Sequence, residues 1–316
     1  MEPETSTLNM TQRITQFPRS GDAVPLALFK PTEDTQNPVV LPNRLQKRAK
    51  PIRRIQLPIK RTTEEPGPAS KRLAAPALCK QGTPWSHFKI CMQGDPGKAC
   101  LAYNISSPGI VVAIKQYRNT GIDKTQYLME VCDTNVISIL TVFVDQATIY
   151  IAYERMDVTL EQLHSSVNLD EVDIGFICKE VLRGLWYIHR NLKVCHTRIR
   201  SNKIFLNTQG SVKIGDIGAS LLEQHHGSEQ IDIKSVGWIM TEIMEPGSAL
   251  ANPRSIHLAS PDNWSSNIRH FQIQTQTQSA PELLQHVFLG SIPESDSGLL
   301  VVPVLKAKGT AVHLYE

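Results

Sequence analysis

Residues 180–207 read EVLRGLWYIHRNLKVCHTRIRSNKIFLN, and this stretch decides the fold that the sequence predicts. Its first half completes a helical pattern that begins near residue 169, with acidic residues at the start and basic residues at the end, which complements the helix dipole. Its second half passes from a histidine through a short polar run to an apolar strand, the order of a loop that positions catalytic groups. One face of the predicted helix is apolar at helical spacing: Ile174, Ile177, Val181, Leu182, Leu185 and Ile188.

The sequence upstream of this helix predicts two β-hairpins. Residues 99–105 and 110–117 alternate apolar and polar side chains, and the run SSPG between them favours a turn. Residues 136–144 and 149–154 form a second pair of this kind, separated by DQAT. Strands therefore precede helices along the chain, which predicts a small lobe rich in β-sheet followed by a helical lobe.

The sequence downstream of the loop predicts a short strand pair and further helices. Residues 203–207 and 211–216 are the two strands, and residues 231–245 form an apolar helix. A last helix is predicted for residues 279–288, and no element is predicted for the tail at residues 291–316.

Residues 1–82 differ in composition from the rest of the chain. They contain 11 of the 20 prolines and no sustained apolar period, so they bury too little apolar surface to offset the entropy of ordering, and we expect them to be disordered. Within them, residues 44–61 contain eight basic residues and no acidic ones. This basic segment is a solvated linker, a signal read by the nuclear-import machinery, or a patch that binds an acidic surface.

Three features bear on the cellular compartment. The six cysteines include no C-x-x-C pair, which favours free thiols in a reducing environment. The first ten residues, MEPETSTLNM, lack the apolar core of a secretory signal, and the longest apolar run is interrupted by Asp145 and Gln146. We therefore expect a soluble intracellular chain, cytoplasmic or nuclear, with no membrane contact.

Seven motifs occur in the order that they have in protein kinases: GDPGKACLA, VVAIK, YERMDVTLEQL, the stretch at 180–207, GSVKIGDIGAS, IDIKSVGWIMTEIM and ELLQHVFL. Together they resemble the protein-kinase fold over residues 85–289, and two of them, GSVKIGDIGAS and ELLQHVFL, are most similar to the Sterile-twenty group of serine/threonine kinases. The resemblance implies an α+β fold of two lobes after the disordered arm. Residues 83–156 would form the β-rich N-lobe and residues 157–290 the mainly helical C-lobe, followed by the tail.

The family's glycine-rich loop, G-x-G-x-x-G, aligns with the residues MQGDPG. Gly94 and Gly97 match the second and third glycines, and Met92 replaces the first. Glycines at these positions let backbone N–H groups approach nucleotide phosphates. The resemblance implies an ATP site that includes Gly94 and Gly97, under a loop that Met92 makes stiffer.

The strand motif VVAIK supplies the next part of the implied ATP site. Lys115 matches the lysine that contacts the α- and β-phosphates, and Ala113 matches the adenine-pocket position. The Glu that pairs with this lysine in the family would fall near Lys124, and Glu130 lies too late in the chain. We therefore expect Lys115 to be unpaired and less firmly positioned.

The hinge and the D-F-G motif complete the implied nucleotide site. AYERM resembles the hinge, in which Tyr153 would narrow the back of the pocket and the backbone of Glu154 to Met156 would contact adenine. Asp216 in GDIG matches the Asp that binds Mg²⁺, with Ile217 in place of Phe. The resemblance implies that Asp216 is a Mg²⁺ ligand when nucleotide binds.

The catalytic loop departs from the family where chemistry is done. His196 matches the family's loop His, but Arg198 stands at the catalytic Asp position and Lys203 at the metal-binding Asn position. Phosphoryl transfer needs an acceptor for the hydroxyl proton, and Arg offers no lone pair and stays protonated. The charge of Lys203 would repel a second Mg²⁺, and Asn202 lies one residue early. No intact catalytic set remains.

The activation region is short. Fifteen residues separate Asp216 from Asp232, which matches the buried helix Asp of the family, and the A-P-E anchor is absent. The peptide-substrate platform of the family therefore has little room. We expect the side chains of His196 and Asp232 to hold the backbone of the loop nevertheless.

These observations favour a pseudokinase, a kinase-like scaffold or regulator that binds protein partners and ATP but transfers no phosphate. One alternative is an active atypical serine/threonine kinase, supported by Lys115 and Asp216 together with Gly94 and Gly97. Another is an interaction protein whose basic arm binds nucleic acid or an acidic protein. A remnant without function is the last alternative.

Overall fold

The computed structural model of the chain describes residues 79–316, apart from 94–98, 120–123, 147, 253, 295–297 and 314–316. The predicted disorder of residues 1–82 and the predictions for the basic segment 44–61 thus lie outside the described residues, except at residues 79–82. There, Cys79–Gln81 form a strand, so regular structure begins inside the range that was assigned to the arm. The strand forms because an adjacent sheet edge offers hydrogen-bond partners, and the backbone N–H of Gly82 donates to the carbonyl of Val144 at 2.8 Å.

Among the described residues, six strands form one sheet in the order β1-β5-β6-β4-β3-β2. Both predicted hairpins are confirmed, because β3 pairs with β4 and β5 pairs with β6 in antiparallel fashion, whereas β1 runs parallel to β5. The strands are β1 Cys79–Gln81, β2 Phe88–Met92, β3 Cys100–Asn104, β4 Val111–Arg118, β5 Ile139–Asp145 and β6 Thr148–Glu154.

Strand β4 separates a small core from the face that carries the site. Val112 and Ile114 are buried in an apolar cluster with Phe88, Phe143 and others. Because successive side chains of a strand point to opposite faces, Ala113 and Lys115 lie on the other face.

The helical lobe contains a second, three-stranded sheet in the order β7-β8-β9. Its strands β8 and β9 are the predicted strand pair, which is confirmed. The strands are β7 Val158–Thr159, β8 Ile204–Leu206 and β9 Val212–Ile214. The α-helices in the described part of the chain are α1 Leu160–Ser166, α2 Glu171–Tyr187, α3 Ile217–Glu223, α4 Glu229–Met244, α5 Pro246–Ala251, α6 Ser266–Gln274, α7 Ala280–Leu284, α8 Val287–Gly290 and α9 Val301–His313.

The predicted long helix is confirmed as α2, which continues as a π-helical turn over Ile188–Leu192. Asp170 caps its N-terminus, and the Asp170 carboxylate accepts hydrogen bonds from the backbone N–H groups of Val172 and Asp173, both at 2.9 Å. All six residues of the predicted apolar face are at most 2% exposed, so this face forms the centre of the main core.

Two predictions for the C-terminal part of the chain differ from the structure. The single helix predicted for residues 279–288 is instead two short helices, α7 and α8. The break occurs because His286 caps α8, and its Nδ1 accepts a hydrogen bond from the backbone of Phe288 at 3.1 Å. The tail, for which no element was predicted, contains α9, and Leu300 and Val304 are fully buried there. No helix in the described ranges is long and apolar enough to cross a membrane.

Candidate functional site

Side chains from the large sheet and from the β8 region line a cavity of about 450 Å³. This volume falls in the range of small-molecule sites. Five of the residues predicted for nucleotide binding line this cavity: Ala113, Lys115, Glu154, Met156 and Asp216. Their role in binding stays a prediction. Gly94 and Gly97 lie outside the described residues.

Sequence reasoning missed several residues of the cavity. Ile137 and Phe205 add apolar surface, and Glu161 and Gln162 add polar groups from the first turn of α1. A signal for α1 was available, because Thr159 and Gln162 form a capping box directly after the hinge motif. Nothing comparable in the local sequence marks Ile137 or Phe205, which tertiary packing brings to the cavity.

The centre of the site is a carboxylate between two ammonium groups. Nζ of Lys115 donates to Oδ1 of Asp216 at 2.6 Å, and Nζ of Lys203 donates to Oδ2 of the same residue at 2.8 Å. The side chains of Lys115, Asp216 and Lys203 are 19%, 10% and 29% exposed, so the pairs are shielded in part from solvent. Asp216 therefore uses each of its oxygens to bind a different lysine.

Asp216 follows β9 in a left-handed backbone conformation with φ of 63°, directly before α3. Burial raises the pKa of its carboxyl, but the hydrogen bonds and charges of Lys115 and Lys203 outweigh burial and lower that pKa to about 2. The carboxylate is thus fully ionised at neutral pH. The contact also corrects the prediction that Lys115 is unpaired: its partner is Asp216 rather than a helix Glu.

Two tyrosines are linked to Asp216 by hydrogen bonds, and one of them, Tyr153, lines the cavity. The hydroxyl of Tyr117 donates to Oδ1 of Asp216 at 2.9 Å, and the hydroxyls of Tyr117 and Tyr153 lie 2.8 Å apart. Since Tyr117 gives its proton to the carboxylate, Tyr153 is the donor between the two hydroxyls. Tyr153 also lies against Gly218, where a Cβ atom would clash with the tyrosine hydroxyl. Tyr117 could have been predicted, because it lies two positions after Lys115 on the same strand face.

The region where the family has its helix Glu is a short 3-10 turn, Lys124–Tyr127. This turn contains no acidic residue. The structure thus agrees with the expectation that no Glu of this turn pairs with Lys115. Lys115 is nevertheless held in place, because Asp216 binds its ammonium group from another part of the chain.

The backbone of the catalytic-type loop is held by buried groups. The carboxylate of Asp232 accepts hydrogen bonds from the backbone N–H groups of His196 at 2.7 Å and Thr197 at 2.6 Å, and it contacts Nε2 of His189 at 2.8 Å. Nε2 of His196 lies 2.8 Å from the carbonyl oxygen of Gly215 and must be the donor. Burial lowers the pKa of the His196 imidazole, so it is neutral at pH 7. The predicted holding role of His196 and Asp232 agrees with these contacts.

Arg198 lies next in this loop and points to a carboxylate on α3. Its Nη2 donates to Oε2 of Glu223 at 2.8 Å, and its side chain is 56% exposed. Glu223 also contacts Nε2 of His225. The guanidinium group is therefore held toward α3 by an ion pair that is partly open to solvent, and its place at the family's catalytic Asp position stays a prediction.

A family model described as the protein kinase domain matches residues 89–281, which include the cavity, the loop and the long helix. The chain belongs to the protein kinase family. Kinase domains use ATP and Mg²⁺, and the cavity lies among the residues that the family model matches.

Curated relatives point to the same family and include kinases of the STE20 type. Serine/threonine-protein kinase STE20 of Saccharomyces cerevisiae is 23% identical over 281 residues, which are 72% of this chain and 30% of that protein. Serine/threonine-protein kinase pakB of Dictyostelium discoideum is 27% identical over 220 residues, 55% of this chain and 25% of that protein. Dual specificity mitogen-activated protein kinase kinase 1 of Dictyostelium discoideum is 29% identical over 164 residues, 49% of this chain and 24% of that protein. The chain thus spans a quarter to a third of the length of these relatives.

The residues around Asp216 do not fit the magnesium ion of a kinase site. Mg²⁺ binds oxygen ligands, commonly one or two carboxylates together with phosphate oxygens. Here both carboxylate oxygens accept hydrogen bonds from ammonium groups, so a metal ion on Asp216 would lie close to two cations. Two unit charges 4 Å apart repel by about 4 kcal/mol at an effective dielectric constant of 20, and a divalent ion doubles that repulsion. The role of Asp216 as a Mg²⁺ ligand when nucleotide binds stays a prediction, and these contacts oppose it.

Proposed function

We propose that this chain is a pseudokinase, which keeps the kinase fold but transfers no phosphate to protein hydroxyls and acts by binding other proteins. The observation that supports it is the pair of cations in the loop: Arg198, whose guanidinium binds Glu223, and Lys203, whose ammonium binds Asp216. One replaces the proton acceptor and the other replaces a metal ligand.

The chemical argument rests on what each side chain offers. A substrate hydroxyl needs a group with a free lone pair to orient it and to take its proton. Arginine has five N–H donors, no acceptor and a pKa far above any biological pH. The charge of Lys203 also opposes the metal ion that neutralises the transferred phosphoryl group in active kinases. Both changes act on the transfer step and leave the fold intact.

The proposed partners are proteins, and the kinase-like lobes serve as the scaffold that presents a binding surface. The basic segment at 44–61 is proposed as a second contact, with an acidic protein surface or the nuclear-import machinery. Replacing its eight basic residues by glutamine tests this part separately. If the variant binds every protein that the unaltered chain binds, the basic segment has no role in binding.

A phosphotransfer assay on the purified full chain tests the main proposal. Labelled ATP is supplied with Mg²⁺ or Mn²⁺, the acceptors are the chain itself and a generic protein substrate, and an active STE20-type kinase sets the detection limit. We expect no more incorporation for the wild-type chain than for Lys115→Ala. Incorporation that Lys115→Ala abolishes would contradict the proposal.

The second candidate function, an atypical serine/threonine kinase, is favoured by one observation. The carboxylate of Glu223 lies 2.8 Å from Arg198, and it has the lone pairs that arginine lacks. If the assay detects transfer, Glu223→Gln distinguishes the source of the proton acceptor. If Glu223→Gln loses the phosphate transfer and the control Glu229→Gln keeps it, Glu223 is the proton acceptor.

A further inference from the structure

Lys203 brings a positive charge to a cavity position that matches the neutral metal-binding Asn of the family. Its ammonium lies 2.8 Å from Asp216, the residue that would bind the metal ion. A side chain that is 29% exposed and lines the cavity is accessible to a ligand there. We infer that the cavity binds a nucleoside triphosphate without a divalent cation, and that the Lys203 ammonium replaces the metal ion as the neutraliser of the phosphate charge.

The geometry provides donors for phosphate oxygens. An ammonium group has three N–H donors, and the contact with Asp216 uses one in Lys115 and one in Lys203. The two ammonium groups bind different oxygens of the same carboxylate, so they lie on the two sides of Asp216. Phosphate oxygens that enter the cavity therefore meet two preformed cations.

The balance of charge in the cavity favours an anion. Lys115, Lys203 and Asp216 together have a net charge of +1. The carboxylate of Glu154, which also lines the cavity, is neutralised by Lys213, whose Nζ lies 2.7 Å away. The remaining acidic residue of the lining, Glu161, is exposed to solvent, where its charge is screened.

The rest of the lining fits the base of a nucleotide. Leu101, Ala113, Ile137, Met156 and Phe205 supply apolar surface. A volume of about 450 Å³ accommodates a ligand of this size. The apolar walls and the two ammonium groups therefore match the two chemical halves of a nucleoside triphosphate.

A divalent ion bound to the Asp216 carboxylate would lie beside two ammonium groups, and its charge would repel the lysines from their places. A nucleotide needs no such rearrangement, because the lysines can bind phosphate while they stay paired to Asp216. This inference rests on the proposed absence of phosphotransfer, since a site without metal can bind the nucleotide but lacks the ion that active kinases use for transfer.

Calorimetric titration of the full chain with ATP tests the inference, once in EDTA and once with excess Mg²⁺. We expect the Kd in EDTA to be within about threefold of the Kd in Mg²⁺. Lys203→Asn, which introduces the family residue, should weaken binding in EDTA at least tenfold and make it depend on Mg²⁺. Lys203→Arg, which keeps the charge, should retain binding in EDTA.

Lys308→Asn is the matched control. Lys308 is also paired to a carboxylate, Asp157 at 2.8 Å, but it does not line the cavity, so its replacement should leave both Kd values unchanged. Circular dichroism of each variant establishes that it is folded. Three outcomes would overturn the inference. The wild-type chain binds ATP only in Mg²⁺, it binds ATP in neither condition, or Lys203→Asn binds ATP in EDTA as tightly as the wild type. The titration reads binding alone, so its failure is distinct from detection of phosphotransfer, which would instead overturn the proposed function.

Discussion

At the scale of single residues, Asp216 decides the character of the site. Its position after β9 agrees with the sequence motif. Its two lysine partners, Lys115 and Lys203, were not predicted. The Asp216 carboxylate is the centre of an ion-pair network in the cavity lining.

The stability that this network contributes can be measured with Asp216→Asn. The carboxyl pKa is lowered to about 2 from the ordinary 3.8, which corresponds to about 2 kcal/mol of unfolding free energy at neutral pH. We expect Asp216→Asn to lose about that much in urea unfolding at pH 7. A depressed carboxyl pKa stabilises the fold above 3.8, and that contribution is lost as the pH falls toward 2.

The difference between wild type and Asp216→Asn should therefore shrink between pH 4 and pH 2. Asp262→Asn is the control, because the Asp262 side chain is 99% exposed and its removal should change stability by less than about 0.5 kcal/mol. An Asp216→Asn variant as stable as Asp262→Asn at pH 7 would show that the network contributes nothing.

At the scale of elements, helix α2 was the most predictable part of the chain, because its apolar period, its capping residues and its charge asymmetry are all local signals. The split of the last predicted helix into α7 and α8 was not predictable in this way. His286 is an ordinary helix residue by sequence, and only its capping contact with Phe288 ends one helix and begins the other. The close approach of α2 to its neighbours is likewise a tertiary property.

Gly184 in α2 tests that close approach. A Cβ atom there would lie 2.7 Å from the backbone oxygen of Asn135 and 3.0 Å from Cδ1 of Ile214. Gly184→Ala should therefore destabilise the chain by about 1–3 kcal/mol through overpacking, although alanine favours helix. Gly309→Ala in α9, where no atom of the described residues lies within 4 Å of the added group, should instead stabilise the chain by about 0.5–1 kcal/mol. Equal effects of the two substitutions in thermal unfolding would contradict the packing argument.

At the scale of the whole molecule, the family model ends at residue 281, but the packed structure extends further. Helix α9 lies beyond that limit and packs on α1 and β7. Leu300, Val304 and Ala307 are at most 1% exposed, and Lys308 pairs with Asp157 at 2.8 Å. Residues 300–308 are thus packed into the fold rather than loosely attached.

Two valines of α9 test whether its packing contributes to global stability. Val304 is fully buried and Val302 is 58% exposed, so they differ in burial but not in residue type or helix. Val304→Ala should lower the unfolding free energy by about 2 kcal/mol, because buried apolar surface is lost and a cavity remains. Val302→Ala should change it by no more than about 0.5 kcal/mol. A Val304→Ala variant as stable as Val302→Ala in urea unfolding would show that α9 is not part of the cooperative unit.

The sequence by itself determined the two β-hairpins, helix α2, the position of the loop and the cations at Arg198 and Lys203, because periodicity and side-chain chemistry are local properties. Only the tertiary structure decided the partners. Lys115 and Asp216 are 101 positions apart in the chain, and no local pattern relates them. Their contact forms because β4 and the segment after β9 converge on one cavity. Lys115, which the sequence left unpaired, therefore binds one oxygen of the Asp216 carboxylate, and Lys203 binds the other.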